Sequence, residues 1–496
     1  MSARTKSQWS TILLTTLGLL YLSASNLESS PDAVVVFNEI QYNPQGPSEE
    51  GEWIELFNQM GVLTDLSGWR IDGIGFTFPP RTFIAPGGYL VVAKQPTAGQ
   101  LGPFSGNLEN GGEKLRLLNQ SGRLMDELSY GDDGRWPASA DGSGVTLSKL
   151  NPYTANMPPE NWTSSSLVDG TPGRENFPQP PTEHPLVINE MSPSASEEFW
   201  VELANTGLEE ISLGGLVVCA GGDPTRKHVL EDAILSSGAF LLLTGEELGF
   251  RPAANEKLFL YDSGEARVLD ACEQAGRLRG RSSSRTGSYL YPLAPTPGAP
   301  NQFAFHDEIV ISEIMYNPPP IPSEAPSDEV VTDSTNQWVE VTNRTDGPVS
   351  LAGWEFDDGI SFTFAPNTVL EGGESACVAR DETAFRLAYP GARLLGEFDG
   401  SLSRSSERLS LRDHHRNPVD VVHYHDSGRW PHIPDGGGAS LELRDLHADN
   451  SIAESWASSN ESHQTTWRTY VYQGTLNPSQ GPDGKWQEFN LGLLGE

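Results

Sequence analysis

One order of motifs recurs three times along the chain, and this repetition constrains the fold more than any other feature. A Trp-x-Glu-x-x-Asn motif is followed, eight residues after its asparagine, by a leucine that opens a glycine-containing turn. The three occurrences are Trp53–Asn58 with Leu66, Trp200–Asn205 with Leu213, and Trp338–Asn343 with Leu351. Identical spacing in three places indicates an internal repeat in which each copy is one structural module.

Further motifs mark where each copy begins and ends. A Glu-Ile or Glu-Met pair precedes each tryptophan motif, Gly-Arg-Trp-Pro occurs at residues 134–137 and 428–431, and Thr-Pro-Gly occurs at residues 171–173 and 296–298. Proline-rich or polar linkers lie at residues 177–185 and 301–307. We therefore predict copy 1 at residues 32–176, a degenerate copy 2 at residues 186–301 and copy 3 at residues 308–463.

Each copy is predicted to be all-β. Within Trp53–Asn58, Ile54 and Leu56 alternate with Trp53 and Glu55, which is the period of a strand with one apolar face. The 51 glycines and 37 prolines of the chain favour many short strands joined by turns over helices. One short helix is predicted at residues 381–389, where Asp381 is placed to cap the first turn.

The order of these motifs resembles the lamin tail domain. The resemblance rests on Asn-Glu-Ile, Trp-Ile-Glu-Leu-x-Asn, Leu-Ser-Gly-Trp, Phe-Thr-Phe and Pro-Gly-Gly, and it runs from about residue 34 to residue 463, with copies 1 and 3 matching better than copy 2. It implies three tandem immunoglobulin-like β-sandwiches of the type repeated in bacterial exported proteins. It also implies a non-catalytic module for attachment or assembly, and it supplies no catalytic residue.

The N-terminal residues indicate export, and the net charge argues against nucleic-acid binding. Arg4 and Lys6 precede an apolar run at residues 12–22 and small residues at 23–25, so residues 1–25 are predicted to be a signal peptide. No second apolar stretch follows, and we expect no transmembrane segment in the mature chain. A formal charge of −35 repels phosphate backbones, so we expect a secreted or cell-surface protein that does not bind nucleic acid.

Paired glutamates are the most prominent candidates for chemistry. The pairs are Glu39 with Glu55, Glu190 with Glu202, and Glu313 with Glu340. Two carboxylates on neighbouring strands could hydrolyse glycosides, or could bind Ca²⁺ where other oxygens converge. The acidic loops at residues 48–50, 196–198 and 323–333 lack the spacing of a recognised Ca²⁺ site, and we favour solvated loops there. We favour a scaffold role in which each glutamate meets an arginine, a backbone amide or solvent at a strand edge. The same pair in all three copies argues for a function that every copy needs.

Histidines and tryptophans are the other candidate functional residues. His423 and His425 flank Tyr424, so in a strand they share a face and, with Asp426, are candidate metal ligands. We favour a solvated strand face, and we predict no metal and no other cofactor. Nine tryptophans recur in register, which favours burial in the cores over stacking on sugars. The sequence contains no nucleophile-elbow, Walker, zinc-protease or dinucleotide fingerprint.

The cysteines and the C-terminal residues each lead to one further prediction. Cys272 occupies an apolar position of its copy, so we lean against a disulfide between Cys219 and Cys272. Residues 464–496 contain two alternating segments and look like the opening of an incomplete β module, whose deletion is expected to leave the melting temperature unchanged.

These observations lead to one functional hypothesis with two alternatives. The favoured hypothesis is a non-catalytic exported protein whose repeats mediate protein interaction, adhesion or surface assembly, with an unknown protein or surface-polymer ligand. The alternatives are a carbohydrate-binding surface protein and a hydrolase that uses the glutamate pairs.

Overall fold

The computed structural model describes residues 34–46, 48–156, 159–283, 288–319 and 335–460. The described residues form two compact units that divide between Arg277 and Leu278, inside the predicted copy 2. The predicted signal peptide, the acidic loop at residues 323–333 and the C-terminal segment 464–496 lie outside the described residues.

Copy 1 is built from two antiparallel sheets. Its strands are β1 (Val35–Gln41), β2 (Trp53–Asn58), β3 (Thr64–Asp65), β4 (Arg70–Asp72), β5 (Phe76–Thr77), β6 (Phe83–Ile84), β7 (Tyr89–Ala93), β8 (Lys114–Leu118), β9 (Leu124–Ser129), β10 (Val145–Lys149) and β11 (Trp162–Val168). The first sheet has the order β11-β10-β1-β2-β7, the second has the order β5-β4-β8-β9, and β3 pairs with β6. Short 3-10 helices lie at Glu49–Gly51, Ala138–Ala140 and Pro159–Asn161.

Side chains from both sheets of copy 1 form one core. Phe37 and Ile54 of the first sheet belong to the same buried cluster as Leu115 and Leu128 of the second. Such packing of two sheets over a shared apolar layer is a β-sandwich, which agrees with the predicted all-β fold. The expected alternation in β2 is wrong in one respect, because all six of its residues are buried. Ile54 and Leu56 face the shared core, and on the other face Trp53 packs with Val91 and Ala93 of β7, so both faces of β2 are covered.

The first unit also contains most of copy 2. These strands are β12 (Leu186–Met191), β13 (Trp200–Asn205), β14 (Ile211–Ser212), β15 (Val217–Ala220), β16 (Lys227–Val229), β17 (Ile234–Leu235), β18 (Phe240–Thr244), β19 (Lys257–Tyr261) and β20 (Val268–Glu273). β13 pairs with β12 and β18, while β15 and β19 are central in a sheet of order β16-β15-β19-β20. The one-turn helix α1 (Gly245–Leu248) follows β18, with Thr244 and Glu247 forming a capping box.

Copies 1 and 2 are in direct contact within this unit. The Lys257 ammonium lies 3.2 Å from Asp132 Oδ2 and 2.9 Å from Asp141 Oδ2, and the lysine side chain is only 6% exposed. The backbone N–H of Val168 donates to the carbonyl of Ala266 at 2.9 Å. The two copies are therefore packed against each other.

The second unit contains a short hairpin and copy 3. Its strands are β21 (Arg279–Arg281), β22 (Tyr289–Leu290), β23 (Ile309–Met315), β24 (Trp338–Asn343), β25 (Val349–Ser350), β26 (Glu355–Asp358), β27 (Ile360–Thr363), β28 (Val369–Leu370), β29 (Ser375–Ala379), β30 (Leu394–Glu397), β31 (Asp399–Gly400), β32 (Ser406–Arg412), β33 (Pro418–His425), β34 (Leu441–Leu443) and β35 (Trp456–Ser458). Copy 3 has sheets of order β30-β29-β24-β23-β34-β35 and β31-β27-β26-β32-β33, with β25 paired to β28. A 3-10 helix lies at Ala453–Ser455.

Helix α2 (Glu382–Ala388) confirms the helix predicted at residues 381–389. The Asp381 carboxylate accepts the backbone N–H of Ala384 at 2.8 Å, as an N-cap does. Phe385 faces inward and is buried beside Trp338. Phe385 thus holds this helix on the sheet within a small apolar cluster that also contains Met315 and Cys377.

Candidate functional site

The glutamate pair of copy 1 lies on two adjacent central strands. Glu39 of β1 stands directly opposite Glu55 of β2, because a bulge between Phe37 and Glu39 makes Asn38 the extra residue. Both glutamates are 0% exposed. The expected position at a strand edge is therefore wrong, and the carboxyl groups are inside the module.

Glu39 is held by hydroxyl groups and a backbone amide. Oε1 accepts from Thr146 Oγ1 at 2.5 Å and from Ser148 Oγ at 2.8 Å, both on β10. Thr171 donates its N–H to Oε1 and its hydroxyl to Oε2, each at 3.0 Å. Burial raises the pKa of Glu39, and these hydrogen bonds oppose the rise.

Glu55 has fewer donors than Glu39. Oε1 accepts from Asn38 Nδ2 at 2.9 Å, and Oε2 accepts the backbone N–H of Gly173 at 2.5 Å. Burial raises the pKa of Glu55 to about 8, and the nearby charge of Glu39 adds to the rise. Glu55 is therefore mostly protonated at neutral pH, so the two carboxyls do not repel each other as a pair of anions would.

Three of the donors to this pair, the N–H and hydroxyl of Thr171 and the N–H of Gly173, come from one segment, residues 170–176, which we call the strap. Asn176 anchors it by donating Nδ2 to the carbonyls of Asn38 and Lys149, each at 3.0 Å. Gly170 has φ +68°, and a Cβ there would lie 2.6 Å from Glu39 Oε1. The Thr-Pro-Gly repeat seen in the sequence is thus the part of the strap that covers the acidic pair.

Copy 2 has the same pair of opposed glutamates. Glu190 of β12 stands opposite Glu202 of β13 after the same bulge, and both are 0% exposed. Asn189 donates Nδ2 to Glu202 Oε1 at 2.8 Å, as Asn38 does to Glu55.

The second Thr-Pro-Gly segment has the internal bonds of the strap. Thr296 Oγ1 lies 3.0 Å from Asn301 Oδ1, and Asn301 Nδ2 donates to the Arg281 carbonyl at 3.0 Å. Asn301 follows Thr296 by five residues, the spacing between Thr171 and Asn176. The motif is therefore Thr-Pro-Gly-x-x-Asn, with the asparagine as its anchor.

Copy 3 brings three carboxylates together. Glu313 of β23 stands between Glu340 of β24 and Glu442 of β34 in the antiparallel register. Ser440 donates to Glu313, and Ser312 Oγ donates to Glu340 Oε1 at 2.8 Å. Burial raises the pKa of Glu340, hydroxyl donors oppose the rise, and the Glu442 charge adds to it.

One aspartate in each copy, buried in copy 1 and half-buried in copies 2 and 3, was not singled out from the sequence. Each accepts a backbone N–H from the first residue of the bulge in the first strand. The bonds join Phe37 N to Asp126 Oδ2 at 2.8 Å, Ile188 N to Asp270 Oδ2 at 2.7 Å, and Ile311 N to Asp420 Oδ2 at 2.6 Å. The sequence does contain a signal for this aspartate, because in every copy it stands two residues before an aligned apolar residue. These apolar residues are Leu128, Cys272 and Val422. These aspartates satisfy an amide that the bulge removes from the ladder.

The asparagine that ends each tryptophan motif also has a structural role. In every copy its Nδ2 donates to the carbonyl four residues later and to the carbonyl of the last residue of a short strand, which is Ile84, Leu235 or Leu370. The shorter bonds join Asn58 to Val62 at 2.8 Å, Asn205 to Glu209 at 2.7 Å and Asn343 to Gly347 at 2.7 Å. The spacing is identical because each amide closes the same turn.

The candidate metal ligands lie at the end of β33. His423 and His425 share a face, as predicted, with ring centroids 4.6 Å apart, and His423 lies 3.1 Å from Ser406 Oγ. Val422 and Tyr424 on the other face are 0% exposed. Within the described residues, no three His, Cys, Asp or Glu side chains are arranged to hold a metal ion. The absence of a metal remains a prediction.

Most of the recurring tryptophans are in the cores. Trp200 and Trp136 are half-buried, whereas the other seven are buried, namely Trp53, Trp69, Trp162, Trp338, Trp354, Trp430 and Trp456. The Trp162 indole N–H donates to the Asn156 carbonyl at 2.9 Å, and Trp456 repeats this bond with Asn450 at 2.8 Å. This confirms the predicted role in packing for the buried seven.

Cys219 and Cys272 are buried free thiols, as is Cys377. Cys219 on β15 and Cys272 on β20 are separated by the intervening strand β19. The prediction against a disulfide is confirmed. In the part of the chain that the structure describes, no helix is long and apolar enough to cross a membrane.

Comparisons with known proteins bear on the fold. The chain matches the family model described as the Lamin Tail Domain at residues 28–132 and 304–426, which lie mainly in copies 1 and 3. None of the curated proteins matches the chain.

Two solved structures show a weak likeness. A DUF4876 family protein from Bacteroides thetaiotaomicron VPI-5482 is 12% identical with a TM-score of 0.17, over 42% of this chain and 64% of that one. Red sea bream transglutaminase is 9% identical with a TM-score of 0.15, over 62% of this chain and 40% of that one. The matches thus span less than two thirds of either solved chain. The family match and the observed sheets agree, and the chain contains the lamin tail domain, an immunoglobulin-like β fold, in two regions, residues 28–132 and residues 304–426.

Proposed function

We propose that this chain is a non-catalytic protein, exported or on the cell surface, whose lamin-tail-like β-sandwich copies mediate protein interaction, adhesion or surface assembly. The observation that carries the proposal is the burial of the most plausible catalytic groups. Glu39 and Glu55 are 0% exposed, and their oxygens accept hydrogen bonds from the module itself. A glycosidase needs its two carboxyls on either side of an accessible glycosidic bond.

Composition and burial support the rest of the proposal. The formal charge of −35 opposes binding to nucleic acid. Seven of the recurring tryptophans are buried in the cores and cannot stack on a sugar, which favours a protein ligand over a carbohydrate. Hydroxyl and amide donors of the module hold the acidic pair of copy 1, which supports a role without a cofactor.

The test compares binding and turnover on the purified full chain. We expect saturable binding to protein from a cell-surface fraction, no hits on a glycan array and no turnover of polysaccharide or phosphoester substrates. Glu340→Gln should leave binding unchanged, and Glu397→Gln, an exposed glutamate of copy 3, serves as its matched control. Turnover that Glu340→Gln abolishes and Glu397→Gln preserves would overturn the proposal, and selective glycan binding would favour the carbohydrate alternative.

A further inference from the structure

The strands that carry the acidic pair share two features in copies 1 and 3. Both first strands have a bulge before the glutamate, between Phe37 and Glu39 and between Ile311 and Glu313. Ser440 donates to Glu313 just as Thr146 donates to Glu39. Copy 3 therefore presents the surface that the strap covers in copy 1.

Copy 3 differs from copy 1 in one residue beside the first glutamate of the pair. Glu442 stands opposite Glu313, at the position where Ser148 stands opposite Glu39. A hydroxyl donor is thus replaced by a third carboxylate, and adjacent like charges destabilise a sheet. Glu313 and Glu340 are half-buried, whereas Glu39 and Glu55 under the strap are 0% exposed.

A matching segment occurs in the C-terminal tail, outside the described residues. Gly474 and Thr475 repeat Gly170 and Thr171, and Gln480 follows Thr475 by five residues, as Asn176 follows Thr171. An amide side chain thus occurs at the anchor position of this segment, as it does in the strap.

Two positions of this segment, one shared with the strap and one changed, agree with the geometry of the strap. A Cβ at Gly170 would lie 2.6 Å from a Glu39 oxygen, and the tail keeps glycine at that position. Gly173 has φ +83°, and a Cβ there meets no atom within 4 Å. The tail has Asn477 at that place, and asparagine tolerates positive φ better than most residues. Gly173 contributes only its N–H to Glu55, which Asn477 also has.

We propose that residues 474–480, which we call the tail segment, dock on the Glu313–Glu340 pair of copy 3 as the strap docks on Glu39–Glu55. The fifteen residues between Ser458, the end of β35, and Gly474 span up to about 50 Å when extended, which is ample for this return. In this arrangement the tail segment completes copy 3, whereas the sequence alone suggested that residues 464–496 begin an incomplete module.

A disulfide trap on the full chain tests whether the tail segment lies beside the acidic pair of copy 3. A cysteine pair at Ser440→Cys and Gly474→Cys, in a chain that also carries Cys377→Ala, should form an intramolecular bond under mild oxidation. The reason is that a Cβ at Gly170 would lie 2.6 Å from Thr146 Cγ2 in copy 1. Thr146→Cys with Gly170→Cys is the positive control, and Ser440→Cys with Gly481→Cys is the matched control. Peptide mapping that finds the bond no more often with Gly474→Cys than with Gly481→Cys would overturn the proposal.

Stability of the full chain is the second readout. Thr475→Val removes the donating hydroxyl and should lower the melting temperature of the second unit by about 2–4 °C. The same change at Thr469, outside the tail segment, should leave it unchanged. Hydrogen exchange at Ile314 should accelerate several-fold in the Thr475→Val chain alone. Equal behaviour of the two variants in both measurements would contradict docking.

Discussion

At the scale of single residues, the polar side chains that recur in the motifs are internal and structural. Glu39 and Glu55 are inside the sandwich, and Asn58 closes a turn. The sequence located these residues because their spacing repeats. It could not show that they are buried, because their donors come from positions more than 100 residues away, such as Thr171 and Gly173.

The raised pKa of Glu55 makes the stability of copy 1 depend on pH. Glu55 titrates near 8 in the folded protein and near 4.5 when unfolded. Its contribution is complete below pH 4.5 and is lost as the pH rises through 8, because the unfolded state releases the proton first. We expect the free energy of unfolding of the first unit to fall between these two pH values. Chemical denaturation at a series of pH values measures this slope.

Glu55→Gln should flatten that slope. The amide cannot ionise, although its NH₂ group replaces one acceptor oxygen and should cost about 1 kcal/mol at low pH. Glu109→Gln, at an exposed position of the same copy, should keep the slope of the unmodified chain. If Glu55→Gln and Glu109→Gln have the same pH dependence, Glu55 is not the titrating group.

At the scale of elements, the sequence predicted strands and the short helix better than it predicted irregularities. Period-two alternation and the aspartate cap were sufficient for β2 and for α2. The bulge in β1 has no local signature, since its amide is satisfied by Asp126 from β9, 89 residues further along the chain. The bulge can be inferred only when the three copies are compared, because an aspartate occurs at the same position in each copy.

Removing this aspartate should destabilise the bulge. Asp126 is 4% exposed and accepts from the Phe37 N–H and from the Asn156 amide. Asp126→Ala leaves two buried donors without an acceptor, and we expect a loss of about 2–4 kcal/mol from the free energy of unfolding of the first unit. Calorimetry of the full chain measures it. Asp126→Asn, which keeps one acceptor oxygen, should fall between Asp126→Ala and the unmodified chain.

Asp133→Ala provides the comparison at an exposed position of copy 1 and should change stability by less than about 0.5 kcal/mol. An Asp126→Ala chain as stable as the Asp133→Ala chain would show that the bulge does not need this acceptor.

At the scale of the whole molecule, repetition predicts equivalent modules but not which of them touch. The linker at residues 177–185 separates copies 1 and 2 in the sequence, yet copy 1 and most of copy 2 belong to one compact unit. The contact depends on residues outside the shared motifs, above all Lys257. Burial acts to lower the pKa of Lys257, but the hydrogen bonds and charges of Asp141 and Asp132 outweigh it and raise the pKa.

Lys257 should therefore be the residue that couples copies 1 and 2. Lys257→Met keeps the aliphatic stem and removes the ammonium, which leaves Asp132 and Asp141 facing each other without a counter-charge. Breaking a fully buried pair from one side costs about 3–5 kcal/mol, and we expect about 2 kcal/mol here because both aspartates are partly exposed. The calorimetric transition of the first unit should shift down, and exchange of the Val168 amide, which bonds across the contact, should accelerate. Lys227→Met removes an exposed ion pair with Glu265 and should have almost no effect. If the Val168 amide stays equally protected in both variants, the contact between the copies does not depend on Lys257.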